Sequence, residues 1–330
     1  MKNLRVSVIG VGHLGGIHAR LWKNVENTEL SGIYDTNPET ASFKSGELGC
    51  KAFSTIDECI ANSDLVTIAS PTVYHYEIAA KCIDADTHCF IEKPVTATYD
   101  EAQKLIAKAA EKKVRIQVGH VERFNPALQA LHGYGINPMF IEAHRLAQFK
   151  PRATDVSVIH DLMIHDLDIM LWLVRSPVKK IDANGVAVLT ETPDIANARI
   201  TFENGAVANL TASRISANPM RKMRIFQKSA YISIDFGKQN VEVFRIAEGN
   251  SNGSKPDAIP AQMLGMIEAA GRNISIVYER PPIPEINAIQ EEQRAFAYAV
   301  LNGRETAVTL GEAAEALRLA ELINNRLNGD

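Results

Sequence analysis

Within the stretch HDLMIHDLD (His160–Asp168), Asp161 and His165 stand four residues apart. On a helix that spacing sets a carboxylate and an imidazole on one face. An imidazole titrates near neutrality, so such a pair can take a proton from a hydroxyl and return it. Asp168, three residues beyond His165, is placed to orient the ring. Without further context the same residues are as readily a solvent-facing pair or a helix cap. Three other groups shift that balance. Gly10-Val11-Gly12-His13-Leu14-Gly15 follows the run LRVSVI, and Asp35 lies 20 residues after Gly15. Ser70-Pro71-Thr72 and Glu92-Lys93-Pro94 each close a short apolar run. An ammonium at such a place favours negative charge growing on an oxygen. These are the parts that alcohol oxidation requires: a proton acceptor, a charge stabiliser and a dinucleotide to receive hydride.

The elements that must position these groups are legible around them. Leu4–Ile9 reads as a strand, the glycine-rich turn leads into a helix through Trp22, and Leu30–Tyr34 reads as a second strand ending at the acid. In such a unit the first glycine makes the tight turn, the second lets a pyrophosphate approach, and the third lets helix and sheet pack closely. The free N–H groups at the helix start face the phosphates. Asp35 suits a ribose diol and repels a 2′-phosphate, and Thr36-Asn37-Pro38 supplies no arginine, so NAD is expected rather than NADP. Alternation continues, with helices over 57–61, 76–83 and 99–112 and strands over 65–69, 88–91 and 114–118. Parallel strands joined by crossover helices give a doubly wound α/β sheet, and ligands sit beyond the C-terminal ends of its strands. His75 and His120 fall near such ends and are candidate lining residues. His13 meets cofactor or solvent, while His18, His88, His132 and His144 read as ordinary.

Beyond residue 120 the rhythm changes. Strands are expected over 140–146, 186–189, 197–202, 207–214 and 231–236, with Glu203-Asn204-Gly205 as a hairpin signal, which suits an antiparallel sheet. Gly249–Lys255 reads as a loop, and 289–302 and 311–327 as helices. The expected division is 1–120 for the dinucleotide domain and 121–330 for a substrate and oligomerisation domain, in keeping with 330 residues.

The formal net charge of -4 implies no general polyanion-binding surface, and no nucleic-acid module is seen. Cys50, Cys59, Cys82 and Cys89 lack metal-ligand spacing and read as buried thiols in a reducing compartment. No metal is expected. With no signal peptide before Leu4 and no apolar run long enough to span a bilayer, the expected location is the cytoplasm.

Taken together, VIGVGHLG, SPTVYH, IEKP, VGHVERFNP and HDLMIHDLD resemble the glucose-fructose oxidoreductase / inositol 2-dehydrogenase (Gfo/Idh/MocA) family over nearly the whole chain. The resemblance implies an N-terminal Rossmann domain, a C-terminal α+β domain on a large, open, mostly antiparallel sheet, and a homodimer or homotetramer. It implies a catalytic set of Lys93, Asp161 and His165, with Lys93 or His165 as the immediate base. Cofactor contacts are implied at Gly10, Gly12, His13, Leu14, Gly15, Asp35, Ser70, Pro71, Thr72, His75, Glu92 and Lys93. Thr72 stands where the family often has Asn, and Met163 where it often has Gly. The wording from VGHVERFNP onward is similar to the branch acting at C3 of nucleotide sugars, which implies a UDP-N-acetylated sugar such as UDP-N-acetylglucosamine. Arg145, Lys150, Arg152 and Arg214 are basic residues suited to a diphosphate, Arg152 first among them. His120, Arg123, Arg152 and Arg214 join Asp161 and His165 as expected substrate contacts. An inositol or free-sugar dehydrogenase is the alternative, and a non-catalytic NAD-binding regulator a further one. Some members of the family retain the cofactor and recycle it with a second carbonyl substrate.

Overall fold

A computed structural model describes residues 3–149, 156–247, 261–269 and 272–328. The chain divides into two compact units, Met1–Phe124 with Ile286–Glu321, and Asn125–Glu285 with Leu322–Asp330. The first break lies close to the expected 120/121 boundary. The late helices, expected in the second domain, instead group largely with the first unit.

The first unit runs β1 (Leu4–Ile9), α1 (His13–Trp22), β2 (Thr28–Tyr34), α2 (Pro38–Leu48), β3 (Lys51–Ala52), α3 (Ile56–Ala61), β4 (Leu65–Ile68), α4 (His75–Asp84), β5 (His88–Glu92), α5 (Tyr99–Glu111) and β6 (Ile116–Gly119). Six parallel strands form one sheet in the order β3-β2-β1-β4-β5-β6. Order reverses beside β1, so this is the doubly wound arrangement with its crevice at the β1/β4 switch. Every residue of β4 and β6 is buried, as expected of strands covered on both faces. Local signals set the helix starts. Asn37 caps α2, with Pro38 at the first helical position; Thr98 and Glu101 make a reciprocal capping box on α5. On one face of the sheet Val6, Val8, Ala19, Trp22, Leu65 and Phe90 pack with Phe296. On the other, Ile68, Cys82, Cys89, Ile91, Leu105 and Val118 pack with Leu310, Ala314 and Leu317. Phe296 comes from α8 (Ala288–Leu301) and the leucines from α9 (Leu310–Asn328), so the unit's core is closed by the far end of the sequence. Three of the four thiols are buried, and burial pushes Cys59 up to about 12.

The second unit opens with a short helix, α6 (Pro126–Gln129), then β7 (Phe140–Leu146), α7 (Ile164–Val174), β8 (Val178–Val186), β9 (Ile195–Phe202), β10 (Val207–Ser213), β11 (Met220–Gln227), β12 (Ala230–Asp235), β13 (Asn240–Ala247), β14 (Ala261–Ala269) and β15 (Arg272–Glu279). Nine strands make one sheet, ordered β14-β15-β13-β12-β11-β7-β10-β9-β8. Pairing is antiparallel except between β7 and β10. In β7 the residues alternate strictly between buried and half-buried. The hairpin at Glu203-Asn204-Gly205 forms as expected, with Gly205 at φ +86 joining β9 and β10.

The expected strand over 186–189 is corrected. The strand is β8, and the chain leaves it at Val186. The physical reason is Asp194, whose carboxylate accepts the backbone N–H groups of Val188, Leu189 and Thr190 at 2.8, 2.6 and 3.0 Å. Those donors are withdrawn from any sheet. Burial raises the Asp194 pKa, but the amides of Leu189, Val188 and Thr190 outweigh it and bring it to about 2. The expected loop 249–255 lies outside the described residues. Among the described residues no helix is long and apolar enough to cross a membrane.

Candidate active site

The glycine-rich turn follows β1 directly. Gly10 adopts φ +82, and a Cβ there would stand 2.7 Å from the Ser70 backbone nitrogen. A Cβ on Gly15 would lie 1.8 Å from the Gly10 carbonyl oxygen, so the chain crosses itself too closely for any side chain. At Gly12, by contrast, a Cβ would meet nothing within 4 Å. Two of the glycines therefore serve the fold, while the middle one leaves open space at the start of α1. That helix has no side-chain cap and no acid in its first turn, so its N–H groups are free to face an anion. Ser70, just beyond β4, carries a buried hydroxyl without a hydrogen-bond partner. Open space, uncapped amides and an orphaned hydroxyl beside the switch point fit a dinucleotide. Asp35 accepts from the Val11 amide at 2.8 Å and the Asn37 amide at 2.9 Å, which fixes the acid against the turn. His13 and Leu14 are exposed at the helix start. Pro71 is exposed, and Thr72 opens a short 3-10 turn, Thr72–Tyr74.

Lys93 follows β5 and precedes a cis peptide bond to Pro94. Glu92 is buried and accepts the Lys93 amide at 3.1 Å, so it orients the turn through its backbone. His75 is buried, with Nδ1 2.9 Å from the Pro94 carbonyl oxygen and Nε2 2.9 Å from that of Ser70. It thus sits between the Lys93 turn and the Ser70 turn, where a neutral ring donates to one of the two carbonyls. Burial pushes its pKa down, against the pull of the two carbonyls. His120 is buried just beyond β6, its amide bonded to the Val118 carbonyl. Arg123, also buried, pairs with Glu312 at 3.1 Å within the same unit.

In the second unit a π-helical turn, Ile159–Met163, runs into α7. Such turns interrupt helices frequently at functional positions. Asp161 sits in the π turn and His165 in the first turn of α7, both half-buried. Met163 is fully buried, so its side chain fills the packed side of the turn. Asp168 is also buried. Next to them Arg145 makes a bidentate pair with Asp166, at 3.0 and 2.9 Å, with both residues buried. Sequence reading named Arg145 only for a diphosphate; its pairing with Asp166 had no signal beyond an acid on the buried side of an apolar helix. Arg214 donates to the Val156 carbonyl at 2.7 Å and lies 3.8 Å from Asp194. Arg152 and Lys150 lie outside the described residues.

Sequence reading also passed over His18, which stands at the centre of a buried cluster with Glu92, Glu292 and Gln293. Its place in α1, four residues from apolar Trp22, gave no sign of polar company.

Comparison with known proteins agrees with this architecture. A family profile described as "Oxidoreductase family, NAD-binding Rossmann fold" matches residues 4–120, and the "GFO/IDH/MocA C-terminal domain" matches 128–233. A UDP-N-acetylglucosamine 3-dehydrogenase from Acidithiobacillus ferrooxidans is 40% identical over 281 residues, covering 82% of this chain and 89% of that protein. A solved structure of that enzyme superposes with a TM-score of 0.88 at 35% identity, over 100% of this chain and 99% of that one. An inositol 2-dehydrogenase from an Arthrobacter strain is 28% identical over 226 residues, covering 63% of this chain and 66% of that protein.

Proposed function

The chain belongs to the GFO/IDH/MocA oxidoreductase family, and from that membership we propose that it oxidises a sugar hydroxyl to a ketone with NAD, at C3 of a UDP-N-acetylated sugar such as UDP-N-acetylglucosamine. The observation that supports the substrate class is the higher identity to a UDP-N-acetylglucosamine 3-dehydrogenase, 40% against 28% to an inositol 2-dehydrogenase. Asp35 supports NAD over its 2′-phosphorylated form, because a carboxylate held at that turn repels a second phosphate.

Bound NAD supplies the acceptor for hydride. The chain's own groups do the rest. Gly12 and the start of α1 receive the pyrophosphate. Lys93 stabilises the negative charge that grows on the substrate oxygen, and His165 takes the hydroxyl proton. Asp161 positions substrate hydroxyls or tunes His165.

The test is direct. The protein is incubated with NAD and UDP-N-acetylglucosamine, with and without 2-oxoglutarate, and products are read by mass spectrometry. Free N-acetylglucosamine and myo-inositol run in parallel. A product lighter by two hydrogens from the nucleotide sugar alone is expected. Turnover of inositol or free sugar alone refutes the substrate and keeps the chemistry.

The same reading extends to assembly as a homo-oligomer through the open face of the nine-stranded sheet. Phe140, Phe226, Tyr231, Phe244 and Tyr278 form a cross-strand row of rings there, with neighbouring centroids 4.9 to 5.9 Å apart. Half-exposed aromatic rows are costly to leave in water and are typical of interface cores. Sedimentation as a monomer at all accessible concentrations would refute this assembly.

A further inference from the structure

Behind the Lys93 turn, within the first unit, lies a polar cluster that the proposed chemistry does not use: His18 on α1, Glu92 at the end of β5, and Glu292 and Gln293 on α8. All four are buried, Glu292 completely. Their proton positions follow from their partners. Gln293 Nε2 lies 3.1 Å from the His18 carbonyl oxygen, which only accepts, so that end of the amide donates. The same nitrogen faces His18 Nδ1 at 3.1 Å, so Nδ1 accepts and the ring proton sits on Nε2. Nε2 donates to Glu92 Oε1 at 2.7 Å, and the Lys93 amide donates to Oε2 at 3.1 Å. Both Glu92 oxygens accept, as a carboxylate's do. Gly119 on β6 leaves them room, since a Cβ there would stand 2.8 Å from Oε1.

Glu292 has no such company. Neither of its oxygens has a hydrogen-bond partner, yet one lies within 4.8 Å of ligand atoms of both Glu92 and His18. Two carboxylates this close and out of water cannot both carry charge cheaply. A cation between them fits less well. Donors about 2.0–2.2 Å from a tetrahedral ion stand roughly 3.3–3.6 Å apart, whereas His18 and Glu92 meet at 2.7 Å, a hydrogen bond.

We propose that Glu292 is carried as a neutral acid and acts as a positioning residue, leaving Glu92 as the one carboxylate that holds the Lys93 turn against His18. Burial, and then the charge of Glu92, push the Glu292 carboxyl well above its usual range. Among the described residues His75 on α4 also feels the charge of Glu92, while β6 carries no titratable side chain. Glu292 acts on Lys93 through Glu92. The catalytic part of this inference rests on the role proposed for Lys93; the protonation part does not.

The experiment is denaturant unfolding of the full chain against pH, wild type beside Glu292→Gln. A native state that holds one extra proton binds more protons than the unfolded chain above the ordinary carboxyl value of 4.5. The wild-type folding constant should therefore fall about tenfold per pH unit relative to Glu292→Gln, the slope of one proton. In turnover, the alkaline fall of kcat/KM should move upward in Glu292→Gln. Parallel stability curves, or stoichiometric metal in the purified wild type, overturn the proposal. If Glu292→Gln does not fold, infrared spectra of the wild type decide. A protonated-carboxyl stretch should persist at neutral pH and vanish on unfolding, and its absence is equally fatal. Absent turnover with the expected stability slope would sink the functional reading alone.

Discussion

At the scale of single residues, the structure separates groups that could react from groups that brace. Lys93 and His165 are half-buried, at the end of a strand and at the start of a helix. Replacing either by Ala should cut turnover by about 10²–10⁴-fold, the usual yield of one acid–base or charge-stabilising group. NAD binding, followed by fluorescence titration, should survive in His165→Ala. Retained turnover in that variant would remove His165 from the mechanism. His75 and Arg145 were read from sequence as contacts for small molecules. Here each ring nitrogen of His75 faces a backbone carbonyl, and Arg145 gives Nε and Nη2 to Asp166. Sequence shows that a residue can bind phosphate or cofactor; it does not show whether a closer partner has already taken it.

At the scale of elements, the glycine-rich turn offers a clean contrast. Gly15→Ala forces a Cβ onto the Gly10 carbonyl and should cost roughly 1–3 kcal/mol or more of stability. Gly12→Ala meets open space and should melt like the wild type, yet weaken NAD at least about tenfold, some 1.4 kcal/mol. Calorimetry and cofactor titration on the pair would check both halves, and a Gly12→Ala variant with full affinity would displace the pyrophosphate from that turn. The buried strands of this first unit were legible as short apolar runs, and α5 begins at a plain capping box, whereas α2, which buries only Ala41 and Leu48, and the two-residue β3 gave no such run and were not read. In the second unit legibility failed where polarity is mixed. β11, MRKMRIFQ, carries charged residues on its half-exposed face, and β8 is mostly exposed along its length, so neither announces itself by hydrophobicity. The turn after β8 is set by Asp194, an acid whose three amide partners lie upstream and give no periodic signal.

At the scale of the whole molecule, buried imidazoles set an acid limit. Burial holds His75, His88 and His160 below their ordinary value. Between that depressed native range and about 6.5 the unfolded chain binds more protons than the native one. Stability therefore rises with pH there, and is lost as pH falls below about 6.5. In Glu292→Gln, where that carboxyl's proton no longer offsets the rings, urea midpoints should drop between pH 7.5 and 5.5, and an unchanged midpoint there would mean that these rings are charged in the native state.

The division of the chain carries a temporal consequence. The first unit is built from residues at both ends of the sequence, with the whole second unit's strands inserted between Phe124 and Ile286. A chain made from its N-terminus exposes Val6, Trp22 and Phe90 long before Phe296 exists to cover them. During synthesis, the nucleotide-binding half must wait unfinished, its buried acid pair not yet assembled, while the sheet of the second unit already has every strand it needs. Nascent chains stalled before α8 are thus the stage at which this protein most needs a chaperone's cover.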